Sequence, residues 1–370
     1  MLIAGHATSQ GTSRFRERFE RHLPSHFHEA QGLWLASIGQ GTYLGQPTSA
    51  CDGQYSESIR LAIDMGTNVI DTAVNYRHQR SERVIGEVLR SLVDQGKLHR
   101  DEIFLATKGG FLSFDGDEPS GSAAEYFAEK VIQSGLAREE DVAAGCHVMT
   151  PAYLKNQIEV SRKNLGVETI DLYYVHNPET QLERVTGDEF YALLRQAFEV
   201  LEQAVGDGMI RSYGTATWNA FRAAPDSGDA ISLARVLSVA REAGGADHHF
   251  RAIQFPFNFA MLEALGQSTQ PADGHLEPLL KLAMREDLMV FSSASLLEGQ
   301  LTSDLPPEIT QWFHDLQTDA QRCLQFARST PGITSALVGM SRPEHVKENL
   351  QTASVPPLES SKYWAMFSKN

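Results

Sequence analysis

Ile170-Asp171-Leu172-Tyr173-Tyr174-Val175-His176 is a run rich in β-branched and aromatic residues, with helical periodicity on both sides. Before it, Thr150-Pro151 reads as an N-cap followed by proline at the first helical position. Leu154, Ile158, Ser161 and Leu165 then recur along one face. After it, Phe190, Leu193, Leu194, Ala197, Leu201 and Ala204 repeat at helical spacing. Working outward, further apolar or β-branched runs fall at 33–38, 68–70, 103–107, 210–216, 252–255, 288–292 and 333–338. Ile59, Ala62 and Ile63 mark a helix between the first two. Eight strands alternating with about eight helices predict an α/β fold with a parallel sheet, and the count favours a closed (β/α)8 TIM barrel. The alternative, a doubly wound open sheet, carries a glycine-rich turn after its first strand. Gly39, Gly41 and Gly45 have the wrong spacing for that turn.

The barrel is expected over residues 31–354. Residues 1–30 are polar and read as an N-terminal extension, with Arg14, Arg16, Arg18 and Arg21 among Glu17 and Glu20. His22, His26 and His28 in that segment read as a solvated face. Residues 109–149 form a long loop after the third strand, rich in Gly, Pro, Ser and acidic residues, with a short helix expected at 125–132. A loop of that length after a barrel strand is usually functional. Residues 355–370 read as a C-terminal tail.

The chain has 370 residues, 42% hydrophobic and 21% charged, an ordinary globular mixture. Its 32 Lys and Arg against 47 Asp and Glu give a net charge of −15, which repels nucleic-acid phosphates and anionic membrane surfaces. No apolar run approaches the ~20 residues of a membrane span. No apolar stretch follows a basic start, so a secretory signal is not expected. The cysteines (Cys51, Cys146 and Cys323) are odd in number and widely spaced, which fits a reducing, cytoplasmic compartment.

The residues with chemistry sit at strand ends, where a (β/α)8 barrel builds its active site. Asp71 ends the second strand, Lys108 the third and His176 the fourth, and Tyr76 follows in the loop after Asp71. Singly, each has an ordinary structural explanation: a turn cap, a solvated charge, a hydrogen-bonded histidine, one of ten tyrosines. Together, on neighbouring strands ~4.8 Å apart, they suit carbonyl reduction. An ammonium stabilises a phenolate and so lowers a neighbouring tyrosine's pKa. A carboxylate holds the ammonium, an imidazole donates to the carbonyl oxygen, and the phenol protonates that oxygen as hydride reaches carbon. No side chain supplies hydride, so a nicotinamide cofactor is needed. The fifth to eighth strands end in Ala216, Phe255, Ser292 and Val338, which offer no metal-ligand set, so no metal site is expected.

At this point the sequence resembles the aldo-keto reductase family, over about 32–350. The resemblance is carried by Gly41-Thr42-Tyr43, by Ile70-Asp71-Thr72-Ala73 with Tyr76 and Ser81-Glu82, and by Ala106-Thr107-Lys108. It continues through 170–178, 210–214, Gln254 and 341–350 in the family's order. It implies a barrel that binds NADPH without a Rossmann fold, with Asp71, Tyr76, Lys108 and His176 as the catalytic tetrad and a small-molecule carbonyl or alcohol as substrate. It implies Gly41, Thr42 and Asp71 near the nicotinamide ribose and Gln254 at the carboxamide. Thr217 stands where the family has asparagine. Ser293 stands where many members stack an aromatic ring, a role left to Trp218 or Phe291. Leu296 and Gly299 fall in the loop that covers the pyrophosphate, and Glu348 and Asn349 match the adenine-contacting pair. Gly339 and His345 replace the usual cations at the 2′-phosphate, so Arg342, with His345, is expected to favour NADPH over NADH. Two other readings are a cofactor-binding regulatory barrel without turnover and a metal-dependent barrel hydrolase or isomerase.

Overall fold

Eight short parallel strands, nearly all of whose residues are buried, make the centre of the molecule. They are β1 (Ile38–Gly41), β2 (Val69–Asp71), β3 (Phe104–Gly109), β4 (Ile170–His176), β5 (Ile210–Ala216), β6 (Phe250–Pro256), β7 (Met289–Ser293) and β8 (Ser335–Gly339). The computed structural model describes residues 1–23 and 25–368. Each strand pairs in parallel with the next, and β8 pairs with β1, which closes the barrel. The principal helices between and after them are α1 (Ser49–Asp64), α2 (Arg80–Asp94), α3 (Pro151–Leu165), α4 (Gly187–Gly206), α5 (Leu233–Gly244), α6 (Leu279–Arg285), α7 (Asp319–Ser329) and α8 (Pro343–Gln351). The expected (β/α)8 fold is therefore present. Thr150 caps α3, its hydroxyl accepting from the Tyr153 N–H, with Pro151 in the first turn.

The first strand differs from its expected place. The apolar run at 33–38 splits. Leu33–Ala36 pairs antiparallel with Phe27–Ala30 in a hairpin outside the barrel, and β1 is the polar, glycine-containing Ile-Gly-Gln-Gly that follows. At Gly39 a Cβ would meet Leu337 at 2.7 Å and Val69 at 3.0 Å, on the two strands that flank β1. That same lack of side chains removes the strand's apolar signal.

The hairpin packs at the N-terminal ends of the strands. Asn68, just before β2, accepts from Ala36 N–H (2.9 Å) and donates to the Trp34 carbonyl (2.8 Å). Residues 1–30 also contain a helix, Ser9–Glu17, capped by Thr8. His26 corrects the solvated-face reading of this segment: it is fully buried, with Nδ1 3.1 Å from Ser37 Oγ. Its imidazole packs edge-on against Phe27, so a residue read as polar surface is part of the core. His22 is exposed.

Residues 109–149 leave the C-terminal end of β3. They hold a helical segment, Ala123–Phe127, continuing through the π turn Ala128–Gln133. The loop has a small core of its own, in which Val131, Ala137 and Val148 pack with Tyr153 of α3. Among the described residues no helix is long and apolar enough to cross a membrane.

Candidate active site

Strand register levels the reactive groups. Gly41 lies beside Asp71, Lys108 beside Tyr174, and His176 beside Ala216, which in turn lies beside Gln254. These C-terminal ends open into a cavity of 950 Å³, walled also by Tyr76 and by residues of α8 and the turn after β7. That size suits a ligand pocket.

Asp71 is the hub. Its Oδ1 accepts from Lys108 Nζ at 2.6 Å and its Oδ2 from Gln254 Nε2 at 2.8 Å. Lys108 is completely buried and also donates to the Thr72 carbonyl at 2.8 Å. It therefore lies behind the cavity wall, 5.0 Å from the centre of the Tyr76 ring. Burial pulls the ammonium below its usual range, against the opposing pull of Asp71. The Tyr76 ring is T-shaped to His176 at 5.8 Å and to Tyr43 at 5.0 Å.

The expected lowering of the phenol pKa by Lys108 is corrected here. Burial, and then the Asp71 carboxylate, push the Tyr76 phenol well above its ordinary value. The reason is that Lys108 is already paired: Asp71 offsets its charge, leaving desolvation dominant. The phenol is thus a protonated group facing the cavity. His176 is pushed well below its ordinary value, by burial first and by Lys108 and His147 next, so its imidazole is neutral. Its Nδ1 is buried without a partner.

The loop carrying Tyr76 is held by unusual backbone. Arg77, His78 and Gln79 take φ of +49°, +56° and +70° in succession. Such left-handed geometry costs energy in non-glycine residues and persists only when its surroundings enforce it. Here the buried Arg77 guanidinium pairs with Asp52 and donates to the Gln46 carbonyl at 3.1 Å, and Arg80 grips the other oxygen of Asp52 at 2.7 Å. The Thr42 hydroxyl donates to the Asp71 carbonyl (3.1 Å), and Ser81 Oγ donates to the Thr42 carbonyl (2.8 Å), tying β1, β2 and α2 together.

Of the residues expected to hold a cofactor, Gly41, Thr42, Asp71, Thr217, Gln254 and Ser293 line the cavity. So do Leu296, Gly299, His345, Glu348 and Asn349. Arg342 is the exception: it is exposed at the N-cap of α8 and does not line the wall. Phe291 is also excluded as a stacking face, because it is buried in the barrel interior against Phe104 at 5.7 Å. Trp218 lines the cavity and is exposed. Thr217 Oγ1 and Asn75 Oδ1 are buried on this wall without protein hydrogen-bond partners.

Sequence reasoning missed Asn75, Phe111 and Asn177 in the wall. Asn75 and Asn177 are chain neighbours of Tyr76 and His176, and adjacency was the available signal. Phe111 is held by Gln157, which accepts from the Gly110 N–H (2.7 Å) and donates to the Phe111 carbonyl (2.9 Å). Gly110 is required: its φ is +139° and a Cβ would lie 2.6 Å from the His147 ring. Among the described residues no group of three or more His, Cys, Asp or Glu is placed to hold a metal ion.

Residues 37–224 match the profile of the Aldo/keto reductase family. The chain is 25% identical to a D-threo-aldose 1-dehydrogenase from a Pseudomonas species, over 88% of this chain and 92% of that protein. It is 24% identical to the NADH-specific methylglyoxal reductase of Escherichia coli (strain K12), over 51% of this chain and 50% of that protein. An aldo-keto reductase from Klebsiella pneumoniae, solved in complex with NADPH, superposes with a TM-score of 0.61 at 18% identity, over 91% of this chain and 92% of that one.

Proposed function

This chain belongs to the aldo-keto reductase family, and from that premise we propose that it is an NAD(P)H-dependent oxidoreductase. It interconverts a small aldehyde or ketone and the corresponding alcohol, with Tyr76 as general acid and base. The observation that carries this reading is the meeting of Tyr76, His176 and the Asp71–Lys108 pair at one end of a cavity large enough for a dinucleotide and a small substrate. The nicotinamide cofactor, when bound, supplies the hydride.

The chain's own groups do the rest. Tyr76 holds a proton at neutral pH because its surroundings disfavour the phenolate, and it delivers that proton to the carbonyl oxygen. The neutral His176 donates a hydrogen bond to the same oxygen and orients it. Lys108 is the cation nearest the tyrosine, 5.0 Å from the centre of its ring, and Asp71 fixes that ammonium in place. In the reverse direction Tyr76 accepts the alcohol proton. Gln254 and Thr217 would hold the carboxamide, Gly41, Thr42 and Asp71 would meet the nicotinamide ribose, and Ser293 would lie near the ring; all line the cavity. Leu296 and Gly299 would cover the pyrophosphate, and Glu348 and Asn349 would meet the adenosine. The NADPH preference expected from Arg342 has no support in the cavity wall. Three free, widely spaced cysteines favour a reducing, cytoplasmic compartment.

The test is spectrophotometric oxidation of NADH and NADPH by the purified chain against aldehydes, ketones and aldoses, with the alcohol direction run in parallel. Turnover of at least one carbonyl–alcohol pair is expected. Cofactor binding without turnover on any of them would favour a regulatory barrel instead.

A further inference from the structure

We propose that the adenosine end of the cavity is built for an unphosphorylated ribose, so that this chain binds NADH in preference to NADPH; this rests on the proposed use of a nicotinamide dinucleotide. The two cofactors differ by a 2′-phosphate. A phosphate monoester carries roughly −1.5 to −2 charges at pH 7, and proteins recognise such groups with guanidinium, ammonium or free backbone N–H donors. Among the described residues, no lysine or arginine lines the cavity.

At the end formed by α8 and the turn after β7, the charged groups of the wall are Glu298 and Glu348. Both are carboxylates. They repel a 2′-phosphate, whereas a carboxylate is the acceptor that a free ribose 2′-hydroxyl pairs with. His345 is the one imidazole there, and no guanidinium or ammonium accompanies it in the wall. Position 339, where β8 meets the wall, is a glycine.

The N-terminus of α8 compensates little. Pro343 occupies the first helical position and has no N–H, and Glu344 adds a negative charge to the same turn. Arg342 is exposed outside the wall, where solvent and salt screen it. The net charge of −15 acts in the same sense, since NADPH is the more negative ligand.

Direct binding tests this without reliance on turnover. Trp218 lies in the cavity wall, so quenching of tryptophan fluorescence is read as the full chain is titrated separately with NAD+ and NADP+, at low and high salt. NAD+ is expected to bind about tenfold tighter at low ionic strength, equivalent to ~1.4 kcal/mol, and the gap should narrow as salt screens the carboxylates. Gly339→Lys should shrink or reverse the ratio. Position 339 is not in the left-handed region, and a Cβ there meets only the Leu44 side chain, at 3.7 Å and beyond. A preference for NAD+ below about threefold, ~0.65 kcal/mol, or a preference for NADP+, overturns the inference and leaves the proposed function standing. A Gly339→Lys chain that keeps the wild-type ratio overturns it too, because a missing cation would not be the cause. Binding of neither dinucleotide overturns the proposed function, and the preference with it.

Discussion

Tyr76 and Lys108 sit 5 Å apart yet are expected to fail differently when changed. Tyr76→Phe removes the proposed proton donor and leaves the ring in place against Tyr43 and His176. Turnover should fall by roughly 10²–10⁴-fold, the usual worth of a positioned acid, while dinucleotide binding measured by fluorescence persists. Near-normal turnover would remove Tyr76 from the mechanism. Lys108 is instead half of a buried ion pair. Lys108→Met strands the Asp71 carboxylate in the interior, so the chain should lose stability by about 3–5 kcal/mol as well as activity. Denaturant unfolding measures the first. Adding Asp71→Asn removes the orphaned charge and should restore much of the stability but none of the turnover. If the double variant is no more stable than Lys108→Met alone, the pair is not what holds this part of the barrel. The residue types and their order were legible in the sequence. The direction of the Tyr76 shift was not, because it depends on which carboxylate already occupies the ammonium.

At the scale of elements, the long segment after β3 was visible as a departure from strand–helix alternation, and its placement at the C-terminal end of the barrel followed from that. Which of its residues reaches the cavity did not. Phe111 is the one contributor from 109–149 to the wall. It packs edge-on against His176 at 4.9 Å and His147 at 5.2 Å. Phe111→Ala should therefore raise the Michaelis constant for the carbonyl substrate by about 2–10-fold, the worth of an aromatic contact, with little change in dinucleotide affinity. Steady-state kinetics with each ligand varied in turn would show it. A larger effect on the cofactor than on the carbonyl would place Phe111 at the wrong end of the cavity. The first barrel strand shows the opposite limit of sequence reading. Leu33–Ala36 has the stronger strand pattern but lies in the hairpin, while β1 carries two glycines, at one of which, Gly39, the flanking strands crowd any Cβ.

For the whole molecule, three buried histidines make folding sensitive to acid. His26, His147 and His176 are all held below the ordinary 6.5 chiefly by burial, His147 at about 4. Below pH 6.5 the unfolded chain takes up protons that the folded chain refuses. Stability is thus fully present above that pH and declines as pH falls toward the folded values, by up to ~1.4 kcal/mol per pH unit for each histidine. Urea unfolding between pH 7.5 and about pH 5 should show a falling midpoint, and His147→Gln should flatten part of the slope. A midpoint independent of pH across that range would mean that these imidazoles are solvated.

Alternation of apolar runs with helical periodicity determined the barrel, since each strand and helix announces itself over a few adjacent residues. The same local order put Asp71, Lys108 and His176 at successive strand ends, with Tyr76 close behind. Tertiary structure alone decided what depends on residues far apart in the chain. It set the Asp71–Gln254 contact across 183 positions and the burial of His26 beneath the barrel. It also made a cavity whose end beside α8 and the turn after β7 carries Glu298 and Glu348 but leaves Arg342 outside. Distances, burial and net local charge are properties of which segments meet, and no single segment encodes them.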